Sequence, residues 1–390
     1  GETSQFTSAN NNNGTFLVVY KFQSTGRMHA RLGTYASNGN ITWGTDLTLT
    51  KPVGQQQATA CYYDSDNDCF VVIGGTGLNE YIYATILTYS GVTLTEGNFV
   101  EFEAQDQNNN GVSDMSASYD TTNKIGYVVV GQYGNSITKL TVSGTSITAS
   151  AFQYIFGSYG STMQYVSLDY DIPNNRGVIY FRDSSNNYYA TVIAFTSASG
   201  TLTFGTKVVL TSVSYAGKGT PAHSPTQSYV AYLHNDTSVI YYNNLTFSGT
   251  TITAGTRQTL YTTSNIHHNG STQNFVYNPD GKFYFVWSRN GSPYELGLLE
   301  AVVSGTTLNA TLKVNQSNSS AYEHWIVGNT SKSNPTMILV GYDSGNTDGD
   351  ALTFRPAATI TVTTENLTAT NYIGIASNTV ANNENATIQT

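Results

Sequence analysis

Charge is what this chain has least of. Asp, Glu, Lys and Arg together make up 11% of its 390 residues, and among them acids outnumber bases by 25 to 16. A net charge of −9 excludes the basic footprint that nucleic-acid binding requires, so no nucleic-acid partner is expected. Eight prolines and two cysteines leave no material for a disulfide framework. No run of 18 apolar residues occurs and no stretch sustains a helical period, which removes membrane insertion and helix bundles from consideration. Ser–His–Asp, P-loop and C-x-x-C patterns are missing as well.

What remains is Gly (36), Tyr (29) and abundant Asn, Ser and Thr, written in a repeated phrase. "SNGNITWGT" (37–45), "SGVTLTEGN" (90–98), "SGTSITASA" (143–151), "SGTLTFGTK" (199–207), "SGTTITAGT" (248–256) and "SGTTLNATL" (304–312) share one form. Their glycines, Gly39, Gly91, Gly144, Gly200, Gly249 and Gly305, are 49 to 56 residues apart. In phase with them run apolar strands such as "CFVVIG", "GYVVVG" and "KFYFVW", ending at 20, 74, 131, 182, 233, 287 and 341. A period of about 50 residues fits a four-stranded propeller blade.

Each unit has a local logic. Glycine takes a positive φ without steric cost, and the alternation after it, as in Thr251, Ile252 and Thr253, describes a half-buried strand. The phrase is thus the hairpin between a third and a fourth strand. The more continuous "VVVG" type is a second strand covered on both faces. Before it stands an Asx or Pro turn, as in "YDTTNK" (119–124), "YDIPNN" (170–175) and "YNPDGK" (277–282). The expected fold is all-β: a seven-bladed β-propeller of four-stranded antiparallel blades over 1–362. In the seventh unit "ATITV" supplies a fourth strand, although the Gly turn is missing. Residues 363–390 break the pattern and read as the start of a C-terminal β module or linker. Cys61 and Cys69 flank the turn "YYDSDND", where a disulfide across the hairpin and two small buried residues are both open.

The repeat, with its "YD…N…VVV" strand and "SGTTIT.GT" turn, resembles repeats of tail-fibre and other virion structural proteins of bacteriophages, marine and cyanobacterial types above all. "NLTATNYIGIA" with "NATIQT" beyond it is similar to a module that follows such repeats. The resemblance covers nearly the whole chain and rests on structural motifs. It implies a non-enzymatic fibre or virion-surface protein, extracellular or on the virion. Its partners would be other virion or fibre subunits and a host surface glycan or receptor, with homo-oligomerisation through regions outside this chain. The alternative is a secreted lectin-like or carbohydrate-active bacterial propeller.

One motif makes a chemical claim. "DQNNNGVSD" sets Asp106, Asn108 and Asn110 at alternate positions, then Gly111 and Asp114, a spacing that lets oxygen ligands converge on a structural Ca²⁺. A plain Asx-rich connection is the competing account. Weaker echoes are Asp64, Asp66 and Asp68, and Asp348 with Asp350. His267, His268 and "YEHW" (322–325) lack a second member at metal-site spacing, and only seven arginines are present for a sialidase-type centre. The expectation is a protein without catalytic activity.

Overall fold

The computed structural model describes residues 3–354 apart from short internal segments, the longest being 104–113, and side chains up to residue 315. Among the described residues the strands form seven antiparallel sheets, each in simple meander order. The first strands, Thr3–Asn10, Gln56–Asp64, Met115–Asp120, Met163–Asp171, Gly219–His223, Phe275–Asn278 and Tyr322–Gly328, lie side by side in sequence order, and the last returns to the first. The sheets are therefore arranged radially around an axis lined by first strands, which is a β-propeller.

Six sheets carry the four-strand set and the seventh has three strands. This corrects the expected seven four-stranded blades to six. The last strand, Asp348–Phe354, is followed by Arg355 and Pro356 where the other blades have the glycine hairpin that returns a fourth strand. "ATITV" and residues 363–390 lie outside the described residues.

The repeated phrase now has a geometry. Ser90 pairs with Thr93 and Ser248 with Thr251, so the connection is a two-residue turn whose first residue is glycine. Gly91 has φ +59° and Gly249 φ +59°, the backbone a type II′ hairpin demands at that position. Beyond the turn, Ile147, Leu202, Ile252 and Leu308 are buried while the flanking Thr201, Thr251 and Thr253 face solvent. Second strands are covered on both faces, and every residue of Ser228–Leu233 is buried.

Among the described residues most apolar clusters span two neighbouring blades, while one, around Tyr284 and Leu298, lies within blade six. Leu17 and Val19 of blade one pack with Phe70 and Val72 of blade two, and Val71 and Ile73 with Val128 and Val130 of blade three. Tyr127 and Val129 continue into Leu168 and Ile179 of blade four, and Tyr180 and Val192 into Val230 and Tyr232 of blade five. From blade one to blade six, neighbouring sheets thus share a buried apolar layer, the arrangement of a repeat array.

Pairing register decides the cysteines. Cys69 lies opposite Asp64 and Cys61 opposite Val72, three residues apart along the hairpin, so they project to opposite faces. Cys69 enters the core shared by blades two and three and Cys61 the core shared by one and two. Both are free thiols, pushed up to about 12 by burial.

Adjacent first strands are also tied by charge. His223 Nδ1 lies 2.7 Å from Asp169 Oδ2 across the seam of blades four and five. Burial pulls the His223 pKa down, but the Asp169 charge and hydrogen bond, with Asp171 behind them, raise it above the usual value against the opposing Arg176. A raised histidine pKa stabilises the fold fully below the unfolded value of about 6.5, and the contribution fades as pH rises through the folded pKa. His223→Gln should therefore cost more stability at pH 5.5 than at pH 8.5, read as the shift in urea midpoint. A gap that widens with rising pH would contradict this account.

Candidate functional site

Backbone strain marks one position. Among the described non-glycine residues with positive φ, Asn12, Asp68, Lys124, Asn135 and Asn175 stand in turns and connections, whereas Tyr165 (φ +56°) lies inside the strand Met163–Asp171. A bulky aromatic residue pays a steric penalty there, so the surroundings must hold it. The pairing register with Arg176–Asp183 slips between Gln164 and Ser167, which is a β-bulge that re-aims Tyr165. Asp114 of blade three accepts a hydrogen bond from the Tyr165 N–H through Oδ2 at 3.1 Å. Asn135, 1% exposed, accepts from the Met163 N–H at 2.8 Å. Blade three therefore clamps the start of blade four.

Two cations gather on the Tyr165 ring. The Arg182 guanidinium carbon lies 4.3 Å from the ring centroid and the Lys218 ammonium 5.3 Å from it. Arg182 Nε donates to Gln164 Oε1 at 3.1 Å, and Nη2 donates to the same oxygen. Below them Tyr180 donates to the Gly217 carbonyl at 2.6 Å, fixing the segment that carries Lys218. These residues come from the start of one first strand, the end of the second strand beside it and the approach to the next blade's first strand. They therefore share one end of the propeller, next to the axis.

Toward the same end, Lys207 pairs with buried Asp183 at 2.6 Å and lies 5.6 Å from the Phe156 ring centroid. Arg257 covers Tyr241 at 4.5 Å and donates to Thr211 Oγ1 at 3.0 Å. Cation–aromatic pairs worth about 0.5–1 kcal/mol each when exposed thus recur over blades four and five.

The residues singled out from sequence fare differently. Asp106, Asn108 and Asn110 lie outside the described residues, so only Asp114 of the calcium motif is placed, and it serves the Tyr165 backbone. Among the described residues no group of three or more His, Cys, Asp or Glu is positioned for a metal. Asp64, Asp66 and Asp68 are taken by protein partners. Asp64 accepts from the N–H groups of Asp66 and Asn67, Asp66 from Tyr119, and Asp68 from Tyr63 and Tyr89. Side chains of His267, His268 and the "YEHW" segment are outside the description, as are those of Asp348 and Asp350. In "IYYNN", Tyr242 is buried at 1% exposure and Tyr241 half-buried, as strand alternation requires. Tyr165 carried no sequence signal; it sits in "STMQYVSLDYD", which scans as an ordinary strand.

No protein-family model matches the chain, and no curated protein matches it in sequence. Solved structures do match. A periplasmic gluconolactonase of Pseudomonas aeruginosa aligns with a TM-score of 0.58 at 11% identity, covering 80% of this chain and 85% of that one. A candidate 6-phosphogluconolactonase of Bacteroides uniformis aligns with a TM-score of 0.54 at 13% identity, covering 80% and 88%. A variant of Aleuria aurantia lectin in complex with α-methyl-L-fucoside aligns at 0.48 and 14% identity, covering 80% and 95%. At such identities the shared property is the propeller fold. The expectation of a chain without catalytic activity is corrected, because a gluconolactonase and a candidate 6-phosphogluconolactonase stand among the structures that share its fold.

Proposed function

We propose that this chain is a carbohydrate-active or lectin-like β-propeller, working outside the cell and engaging its sugar at the end of the axis where Tyr165 stands. The observation that carries the reading is Tyr165 itself. A strained aromatic residue on a bulge, surrounded by a guanidinium, an ammonium and an amide, is a costly arrangement for packing alone. Aromatic faces with a few convergent polar groups are what sugar sites require. That the aligned lactonases act on sugar-derived substrates agrees with this reading, while the resemblance to fibre repeats concerns the scaffold.

Tyr165→Gly is the informative variant. Glycine adopts φ +56° without strain, so the backbone path and its hydrogen bond to Asp114 are preserved while the ring is removed. The intact chain should retain a subset of glycans on an array, and the variant should lose about tenfold or more in affinity with little change in melting temperature. Hydrolysis of the retained glycans, and of aldonolactones, is measured on the same preparations. Absence of glycan binding and of turnover by the wild-type chain would overturn the proposal.

A further inference from the structure

One seam further round, at the same end of the propeller as Tyr165, two buried donors stand unmatched. Arg289 closes the second strand of blade six and pairs with Ile266 on one side and Glu295 on the other. Trp287 stands two residues before Arg289 and Gly297 two beyond Glu295, so alternation puts all four on one face. That face is turned to blade five, because Trp287 packs with Tyr229, Ala231 and Leu233. The indole lies across the third strand: a Cβ on Gly297 would stand 2.3 Å from Trp287 Nε1. Trp287 is 3% exposed, and among the described residues neither its Nε1–H nor the buried Arg289 Nε–H finds an acceptor. Glu295 meets Arg289 as a loose ion pair, Oε1 to Nη1 at 3.5 Å.

We infer that Trp287, Arg289 and Glu295 hold a hydroxyl of a neutral sugar at the seam of blades five and six; the choice of a sugar rests on the carbohydrate reading above. A buried N–H left unmatched loses its hydration without return, so two on one face mark a place built for an acceptor. Trp and Arg only donate, and an ionised Glu only accepts. A hydroxyl satisfies all three, accepting from the two N–H groups and donating its proton to Glu295. A carboxylate or phosphate would face the Glu295 charge, and an ammonium would leave both N–H groups unmet. A lone water has the same capacity as a hydroxyl, and the experiment below separates them. Side-chain exposures of 23% for Arg289 and 14% for Glu295 leave the mouth open. Trp287 forms the floor, and the half-buried Tyr261 ring, 5.8 Å from the indole, a wall. The repeat does not impose this set. Counted from the turn, blades three and four carry Val130 and Phe181 where blade six carries Trp287, and neither brings a donor.

The test starts from the intact chain carrying Tyr165→Gly, in which the first site is impaired, and titrates neutral methyl glycosides of hexoses and deoxyhexoses by calorimetry. At least one should bind, and adding Glu295→Gln or Trp287→Phe should weaken it about tenfold or more. Both substitutions keep the bulk of the side chain and remove one polar contact. Glycoside binding by the wild-type chain with none by Tyr165→Gly would overturn the inference, leaving water alone in the seam and the carbohydrate reading intact. Residual binding that neither second substitution weakens would do the same. Absence of binding by the wild-type chain, to these glycosides and to the wider glycan array, would overturn both. If the double variants do not fold, deoxy analogues of the bound glycoside decide on Tyr165→Gly. The analogue lacking the held hydroxyl should lose about tenfold, and analogues that all bind alike would overturn the inference.

Discussion

Gly205→Ala should cost about 3 kcal/mol or more of stability, read as a loss in urea midpoint, although it adds one methyl group. Gly205 sits at the break in the fourth strand of blade four, between Thr201–Phe204 and Val208–Val209, both paired with Tyr189–Ala198. Its N–H donates to the Ala194 carbonyl at 2.9 Å, so it cannot retreat toward its own sheet's edge. A Cβ built there would stand 2.0 Å from the Thr250 carbonyl oxygen and 2.8 Å from the Thr250 carbonyl carbon. Thr250 is the second residue of the two-residue turn in blade five, so the obstacle is backbone of the neighbouring blade. Relief requires prising apart a seam in which Val208 and Phe247 pack on the core that Tyr180, Val230 and Ile252 share. Gly44→Ala should act alike between blades one and two, where the Cβ would meet the Val92 oxygen at 1.8 Å, and the two losses should add. Gly249→Ala is the control. Nothing lies within 4 Å of its Cβ, and only its φ of +59° is penalised, at roughly 1–2 kcal/mol. If Gly205→Ala is no worse than Gly249→Ala, the close approach of blades four and five is not a stability determinant.

This pair of glycines shows what the sequence could and could not disclose. The turn glycine is read from its neighbours alone, since positive φ, two-residue spacing and the Thr–Ile–Thr alternation are all local. The second glycine of "SGTLTFGTK" recurs with the phrase, but its reason is non-local, contact with a turn one blade further on, and the sequence does not disclose that contact. The buried second strands were legible because both of their faces demand apolar residues. Among the described residues the seventh sheet has three strands, and the missing Gly turn of that unit was visible in the sequence, though seven strand ladders outweighed it. Parity along the hairpin already separates Cys61 from Cys69, three positions from Asp64 being an odd number. The site was the least legible part. Tyr165 owes its conformation to Asp114, 51 residues earlier, and Asp114 drew notice for its cation-ligand spacing instead.

Asp120→Ala should be the other large loss, about 2–4 kcal/mol, because it removes one acceptor on which four donors depend. Asp120 is fully buried at the end of the first strand of blade three. Its carboxylate accepts from the N–H groups of Thr122 and Asn123 at 2.9 and 3.1 Å, from Asn123 Nδ2 at 2.6 Å, and from the Tyr127 hydroxyl at 3.4 Å. Asp64 and Asp171 repeat the arrangement with Asn67 and Asn174, which explains why the turns read Y-D-x-x-N. The blade-three copy reaches further than its own turn. Asn123 Nδ2 also lies 3.3 Å from Asn175 Oδ1 of blade four, and Tyr127 stacks on Tyr170 of that blade at 4.9 Å between centroids. Alanine would leave the Tyr127 hydroxyl without this acceptor inside the seam, while the Thr122 and Asn123 amides, at the exposed turn, recover part of their loss to water. Asp120→Asn keeps one acceptor oxygen and should lose no more than about half as much. Asn123→Ala should lose less than Asp120→Ala, since it removes one donor and leaves the two backbone bonds in place. Equal stability of Asp120→Ala and the wild-type chain would mean that the carboxylate shapes the turn during folding without holding the finished blades together.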